Sequence, residues 1–137
     1  MTAIRVPTSQ AVILVNQFIC KKAGNTHFCR DINRIESALQ SAFYPGTSPF
    51  AAGGLAKVAG ALCYYLVQGH AFEDGNKRTG ALVAITFLNE NGWDLKYPIH
   101  KKKDYDALAE VILKCASSNL SKEELMDWFE LHKVPLE

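Results

Sequence analysis

Residues 70–80, HAFEDGNKRTG, place an imidazole, two carboxylates, an amide and two cations within nine positions, between two apolar stretches. Histidine both takes and gives a proton near neutral pH, so His70 can deprotonate an attacking hydroxyl. Gly75 permits backbone dihedrals that other residues avoid, and Asn76 is placed to cap a helix whose first turn carries Lys77 and Arg78. Cations in a first helical turn oppose the helix dipole and call for a compensating anion. Together with the free N–H groups of the helix start, Lys77 and Arg78 form a cradle suited to phosphate. Asp74, just before it, can hold Mg²⁺, which binds through one or two carboxylates plus phosphate oxygens and keeps several waters. A magnesium nucleotide such as Mg-ATP satisfies both demands. The segment thus divides into a base (His70), a metal ligand (Asp74) and an anion clamp (Lys77, Arg78 and the N–H groups of the helix start). Phe72 reads as a core anchor for the loop, and Glu73 as a solvated carboxylate.

Helices must position this loop. Thr8 and Ser9 precede an apolar run from Val12 to Ile19 that Lys21, Lys22 and Gly24 close, which predicts a first helix. Ile32, Ile35, Leu39 and Phe43 recur at helical spacing and predict a second over 31–43, with Arg34, Glu36 and Gln40 on its polar side. Leu55, Val58, Ala59, Leu62, Tyr65 and Leu66 mark a buried central helix to Gln68, ended by Gly69. After the polar loop a helix runs from Lys77 to Asn91, with Gly92 as its left-handed stop. Another is expected from Asp104 to Ala116. Ser121 with Glu124 makes a capping box for a last one through Trp128 and Phe129. Residues 44–54, YPGTSPFAAGG, exclude a regular helix and allow a loop or short hairpin. No strand is required elsewhere, and WDLKYP after Gly92 reads as a connector. The fold expected is all-α, one helical bundle over residues 1–137.

HAFEDGNKRTG resembles the H-x-F-x-[D/E]-G-N-[G/K]-R signature of the Fic/Doc family and matches it at every fixed position. RDINRIESAL (30–39) is similar to the helix upstream of the motif in Doc-like proteins, and FLNENG (87–92) to the end of the helix after it, so the likeness spans the middle half of the chain. The resemblance implies that His70 is the general base and Asp74 the Mg²⁺ ligand. It makes Asn76 and the amides around Gly75 the anion site, and Arg78 the phosphate-binding cation that acts with His70. Fic proteins that transfer AMP commonly carry Gly after the Asn, whereas Doc-type toxins carry Lys, as here at Lys77. A Lys side chain fills the space in which a backbone could approach an α-phosphate, and it adds charge. The resemblance to Doc implies transfer of the ATP γ-phosphate to a threonine of a protein target such as elongation factor Tu. Translation then stops until an antitoxin blocks the site. In the family a flap before the central helix docks the target segment by strand addition, which implies Tyr44 and Phe50 as contacts. Two features depart from or complicate the pattern. Ala71 stands where many motifs have Pro, and TFLNEN (86–91) matches an inhibitory pattern whose glutamate pairs with the motif arginine. Because Glu90 lies along the helix that the motif itself opens, this match reads as chance.

Fifteen Lys and Arg against fourteen Asp and Glu leave a charge of +1, and 48% of residues are hydrophobic, enough for a core. No global basic field argues for nucleic acid, and the short run HKKK (100–103) reads as a solvated face. Cys20, Cys29, Cys63 and Cys115 have no zinc-site spacing and read as free thiols, Cys63 as a core residue. The opening segment lacks signal-peptide character and no apolar run is long enough to span a bilayer, so a cytoplasmic location is expected. His27 has no partner legible in the sequence. Transfer of AMP or another nucleotide moiety, and a catalytically silent module that holds a nucleotide or peptide, stand as alternatives. A helical DNA-binding regulator ranks last, for want of a basic surface.

Overall fold

A computed structural model describes residues 4–43, 53–97 and 106–137. These residues form six α-helices: α1 (Ser9–Ala23), α2 (Ile32–Phe43), α3 (Leu55–Gly69), α4 (Asn76–Glu90), α5 (Ala107–Ala116) and α6 (Lys122–His132). The architecture is the all-α one expected. The stretches around Tyr44, Phe50 and HKKK lie outside the described residues.

Helix ends follow the side chains that satisfy them. The Thr8 hydroxyl accepts from the Ala11 N–H at 3.1 Å to open α1, and Gly24 closes it with φ 73°. Ser121 and Glu124 complete both halves of the capping box on α6. The helix expected from Asp104 is described from Ala107, capped by the Asp106 carboxylate, which accepts from the Ala109 N–H at 2.9 Å.

α3 is the central helix. It packs chiefly on α4 and α6, then on α2, and nine of its residues from Ala56 to Val67 are buried. Phe72, Phe87, Phe129, Ile35, Leu62 and Leu125 fill the space around it. Each such side chain stabilises the fold by roughly 1.5–3 kcal/mol through burial. Gly80 sets the α3–α4 distance: a Cβ there would lie 2.9 Å from Val67 Cγ2 and 3.2 Å from the Cys63 carbonyl oxygen. Two helices that meet this closely hold the loop between them, residues 70–75, on a short tether.

One strand pair departs from the expectation that none was needed outside 44–54. β1 (Trp93–Leu95) lies within the segment read as a connector and pairs antiparallel with β2 (Lys133–Pro135), Trp93 opposite Pro135. Three residues are too few for an alternating pattern to register, and the partners come together only because α6 returns the chain beside the end of α4. Gly92, with φ 89°, makes the turn out of α4. No helix among the described residues is long and apolar enough to cross a membrane.

Candidate functional site

His70 is where α3 stops. It takes φ 47° and ψ 45°, the left-handed conformation that usually falls to glycine at this position. A side chain there costs about 1–2 kcal/mol. Gly69, expected to end the helix, is instead its last helical residue. The His70 carbonyl accepts from Arg34 of α2 at 3.1 Å, and the Gly69 carbonyl from the same nitrogen at 3.3 Å. Arg34 thus satisfies carbonyls that the helix end leaves unpaired. The imidazole itself is exposed, and the loop that follows turns straight back into the core.

That return is held by the segment before α2. Cys29 and Phe72 form an isolated antiparallel bridge, with Arg30 N–H donating to the Ala71 carbonyl at 2.8 Å and Glu73 N–H to the Phe28 carbonyl at 2.9 Å. Phe72 is buried as expected, 2% exposed, and anchors the loop. Glu73 is exposed, as expected of a solvated carboxylate, and in addition pairs with Arg30 at 2.6 Å, both side chains being about half exposed.

Asn76 does not cap α4. It is the first helical residue, and its amide turns back on the loop, donating to the Phe72 carbonyl at 2.8 Å and accepting from the Phe72 N–H at 3.1 Å. The cap position belongs to Gly75, whose φ of 81° requires glycine and whose missing side chain leaves nothing to bond the helix start. The N–H groups of Gly75, Asn76, Lys77 and Arg78 have no acceptor among the described residues, and Lys77 and Arg78 are exposed beside them. Donors and cations together form a concentrated anion-binding helix start.

Asp74 is exposed, and its side-chain carboxylate makes no hydrogen bond or ion pair among the described residues. No group of three or more His, Cys, Asp or Glu side chains that could hold a metal exists among those residues. The carboxylate therefore fits Mg²⁺ only as one ligand in a set completed by phosphate oxygens and water. A groove of about 430 Å³ between α4 and α5 begins at Lys77 and Arg78 and continues over Ala81, Leu108, Ile112 and Leu113. His70 and Asp74 do not line it, so this groove flanks the polar loop rather than containing it.

Sequence reasoning missed the support beneath the loop. Asn16, fully buried in the middle of α1, donates to the Asp74 carbonyl at 2.8 Å and to Thr79 Oγ1 at 3.0 Å. Its Oδ1 lies 2.7 Å from His27 Nδ1, so His27, which had no partner legible in the sequence, belongs to this network. The available signal was a pair of amides, Asn16 and Gln17, inside the apolar run VILVNQFIC, of which only Asn16 is buried. Tyr44 and Phe50 fall outside the described residues. Glu90 ends α4, 12 residues beyond Arg78 and about 18 Å along the same helix, too far to pair with it.

No curated protein matches the chain. The model of the Fic/DOC family matches residues 7–88, from just before α1 to two residues short of the end of α4, and so includes Asn16, Arg34 and all of residues 70–80. Domains of that family are typically transferases and generally use a nucleotide with Mg²⁺. With well over half its length matched by that one family model, the chain belongs to the Fic/DOC family.

Proposed function

We propose that this protein is a Doc-type phosphotransferase that moves the γ-phosphate of Mg-ATP onto a serine or threonine hydroxyl of a protein target. The observation that carries the reading is Lys77, exposed in the first turn of α4 next to N–H groups without acceptors among the described residues, where AMP-transferring members commonly have glycine. The added cation and filled space favour a terminal phosphate over an α-phosphate at that helix start. His70 takes the proton from the attacking hydroxyl, whose oxygen bonds to phosphorus as the bond to the ADP oxygen breaks. The backbone amides from Gly75 onward, Lys77 and Arg78 neutralise the phosphate oxygens, with the side chain of Asn76 bracing the loop. Asp74 would hold Mg²⁺, which supplies charge neutralisation on the phosphates. The groove beyond Arg78, apolar along Ala81, Leu108 and Ile112, suits the nucleoside end of the cofactor.

The reading extends to a cytoplasmic toxin acting on a translation factor such as elongation factor Tu, with Tyr44 and Phe50 docking the target segment and an antitoxin restraining it. Because Glu90 is too far along α4 to neutralise Arg78, an external inhibitor is expected. The test is intact-mass analysis of proteins in a cell extract incubated with this protein, Mg²⁺ and ATP, with His70→Ala and a chelator as controls. A gain of one phosphate that requires His70 and Mg²⁺ is expected. A gain of one AMP would replace this reading with nucleotidyl transfer, and no gain despite measurable ATP binding would leave a binding module.

A further inference from the structure

We propose that Asn16 of α1 is a positioning residue for the anion cradle, setting the direction of the Asp74–Gly75 peptide; its value for catalysis rests on the function proposed above. Burying an amide costs roughly 1–3 kcal/mol unless its bonds are made. Asn16, 0% exposed, makes all of them. The Asp74 carbonyl can only accept, so the Nδ2 of Asn16 faces the loop and donates there at 2.8 Å, with its second hydrogen going to Thr79 Oγ1. Oδ1 consequently faces two donors: His27 Nδ1 at 2.7 Å and Cys20 Sγ at 3.5 Å. The contact selects the His27 tautomer that carries hydrogen on Nδ1.

A trans peptide is planar, with its C=O and N–H pointing in opposite directions. With the Asp74 oxygen held inward by Asn16, the Gly75 N–H is turned away from α1, toward a side on which it has no acceptor among the described residues. A peptide next to glycine flips readily, because glycine accepts both conformations. Flipped, this one would present a carbonyl oxygen to the bound anion in place of a donor. The space behind it is closed as well: a Cβ on residue 75 would meet Asn16 Nδ2 at 3.1 Å and Cys20 Sγ at 3.5 Å.

The test compares Asn16→Leu, which releases the Asp74 carbonyl, with Thr79→Val, which removes a partner of Asn16 but leaves that carbonyl held. Mg²⁺-pyrophosphate is titrated into each full-length protein while the backbone amide resonances of residues 73–78 are followed. Expected for Asn16→Leu are affinity weakened at least about tenfold, one charge-assisted hydrogen bond, and broadened or doubled amide signals at 74–76 before any ligand is added. Thr79→Val should keep single, sharp signals and affinity within about threefold of the parent, even where its melting temperature falls equally. Equal losses in both variants, in step with melting temperature, would make Asn16 a packing residue and overturn the proposal. So would unchanged 74–76 amides in Asn16→Leu. If the parent itself fails to bind Mg²⁺-pyrophosphate or ATP, the functional reading fails, and the ligand-free amide signals still decide the positioning role. Should Asn16→Leu not fold, Asn16→Ser, which shortens the side chain and loses the reach to Asp74, takes its place.

Discussion

Arg34 donates to the His70 carbonyl at 3.1 Å where the His70 backbone is left-handed, so a side chain on α2 holds the strained end of α3. Replacing His70 by Gly removes the strain, whereas His70→Ala keeps a Cβ in the same conformation. His70→Gly should therefore be more stable than His70→Ala by about 1 kcal/mol, although both should lose transfer activity. Urea midpoints of the two variants check this. Equal midpoints would mean that the left-handed cap carries no strain.

Gly80 reverses the usual effect of alanine in a helix. Helix propensity alone predicts a gain of about 1 kcal/mol for Gly80→Ala. The new Cβ would stand 2.9 Å from Val67 Cγ2 and 3.2 Å from a backbone oxygen, and that oxygen cannot move without α3. Overpacking of this kind costs typically 1–3 kcal/mol, so a net loss is expected. Thermal or chemical denaturation decides the sign.

The Arg30–Glu73 ion pair is short but half exposed, and its contribution should be small. Screened pairs of this kind contribute about 0.2–1 kcal/mol. Glu73→Gln should shift the urea midpoint only slightly, and raised salt should shrink the difference further. The backbone bonds between 28–30 and 71–73 remain in the variant and keep the loop in place. A loss of several kcal/mol would show that the ion pair, not the bridge, holds the loop.

Stability should decline on the alkaline side. Burial pushes the Cys63 thiol well above its ordinary range, with Cys115 adding to the rise, and burial also raises Cys115 and Cys20. Lys122 is raised as well, chiefly by its hydrogen bond to Tyr65. Unfolded thiols lose their protons near pH 8.5, about where the native ones keep theirs. Above that pH the native state binds more protons than the unfolded one, so each rise in pH favours unfolding. These contributions are complete below the unfolded values and are lost as pH climbs toward the folded ones. The melting temperature, measured under reducing conditions, should hold to about pH 8 and then fall, less steeply in Cys63→Ala. A flat profile to about pH 10.5 would contradict the burial of these thiols.

The same burial predicts which thiol reacts. Cys20, Cys63 and Cys115 are buried and Cys29 is partly exposed. Iodoacetamide applied to the native protein should label Cys29 first, and all four only in denaturant. Peptide mapping identifies the site, and early labelling of Cys63 would contradict the packing around α3.

The helices were legible from their periodic apolar positions, and two of them from recognisable caps as well: Thr8 for α1, Ser121 with Glu124 for α6. The polar loop was legible because chemistry of its kind needs many ionisable residues within a few positions. Asn76 was misread as a cap because an Asn before a helix commonly plays that part, and only the closed loop from Phe72 shows its amide bonded backward.

By itself the sequence determined the helical periodicity, the chemistry available at 70–80 and the family. All three are local: they depend on residue types a few positions apart. Tertiary structure alone decided what supports that chemistry. Asn16 reaches Asp74 across 58 positions, Arg34 reaches His70 across 36, and Cys29 meets Phe72 in a bridge. A hydrogen bond forms between groups about 3 Å apart in space, whatever their separation along the chain, and only the packing of α2 and α4 on α3, and of α1 on α4 and α2, brings these groups together.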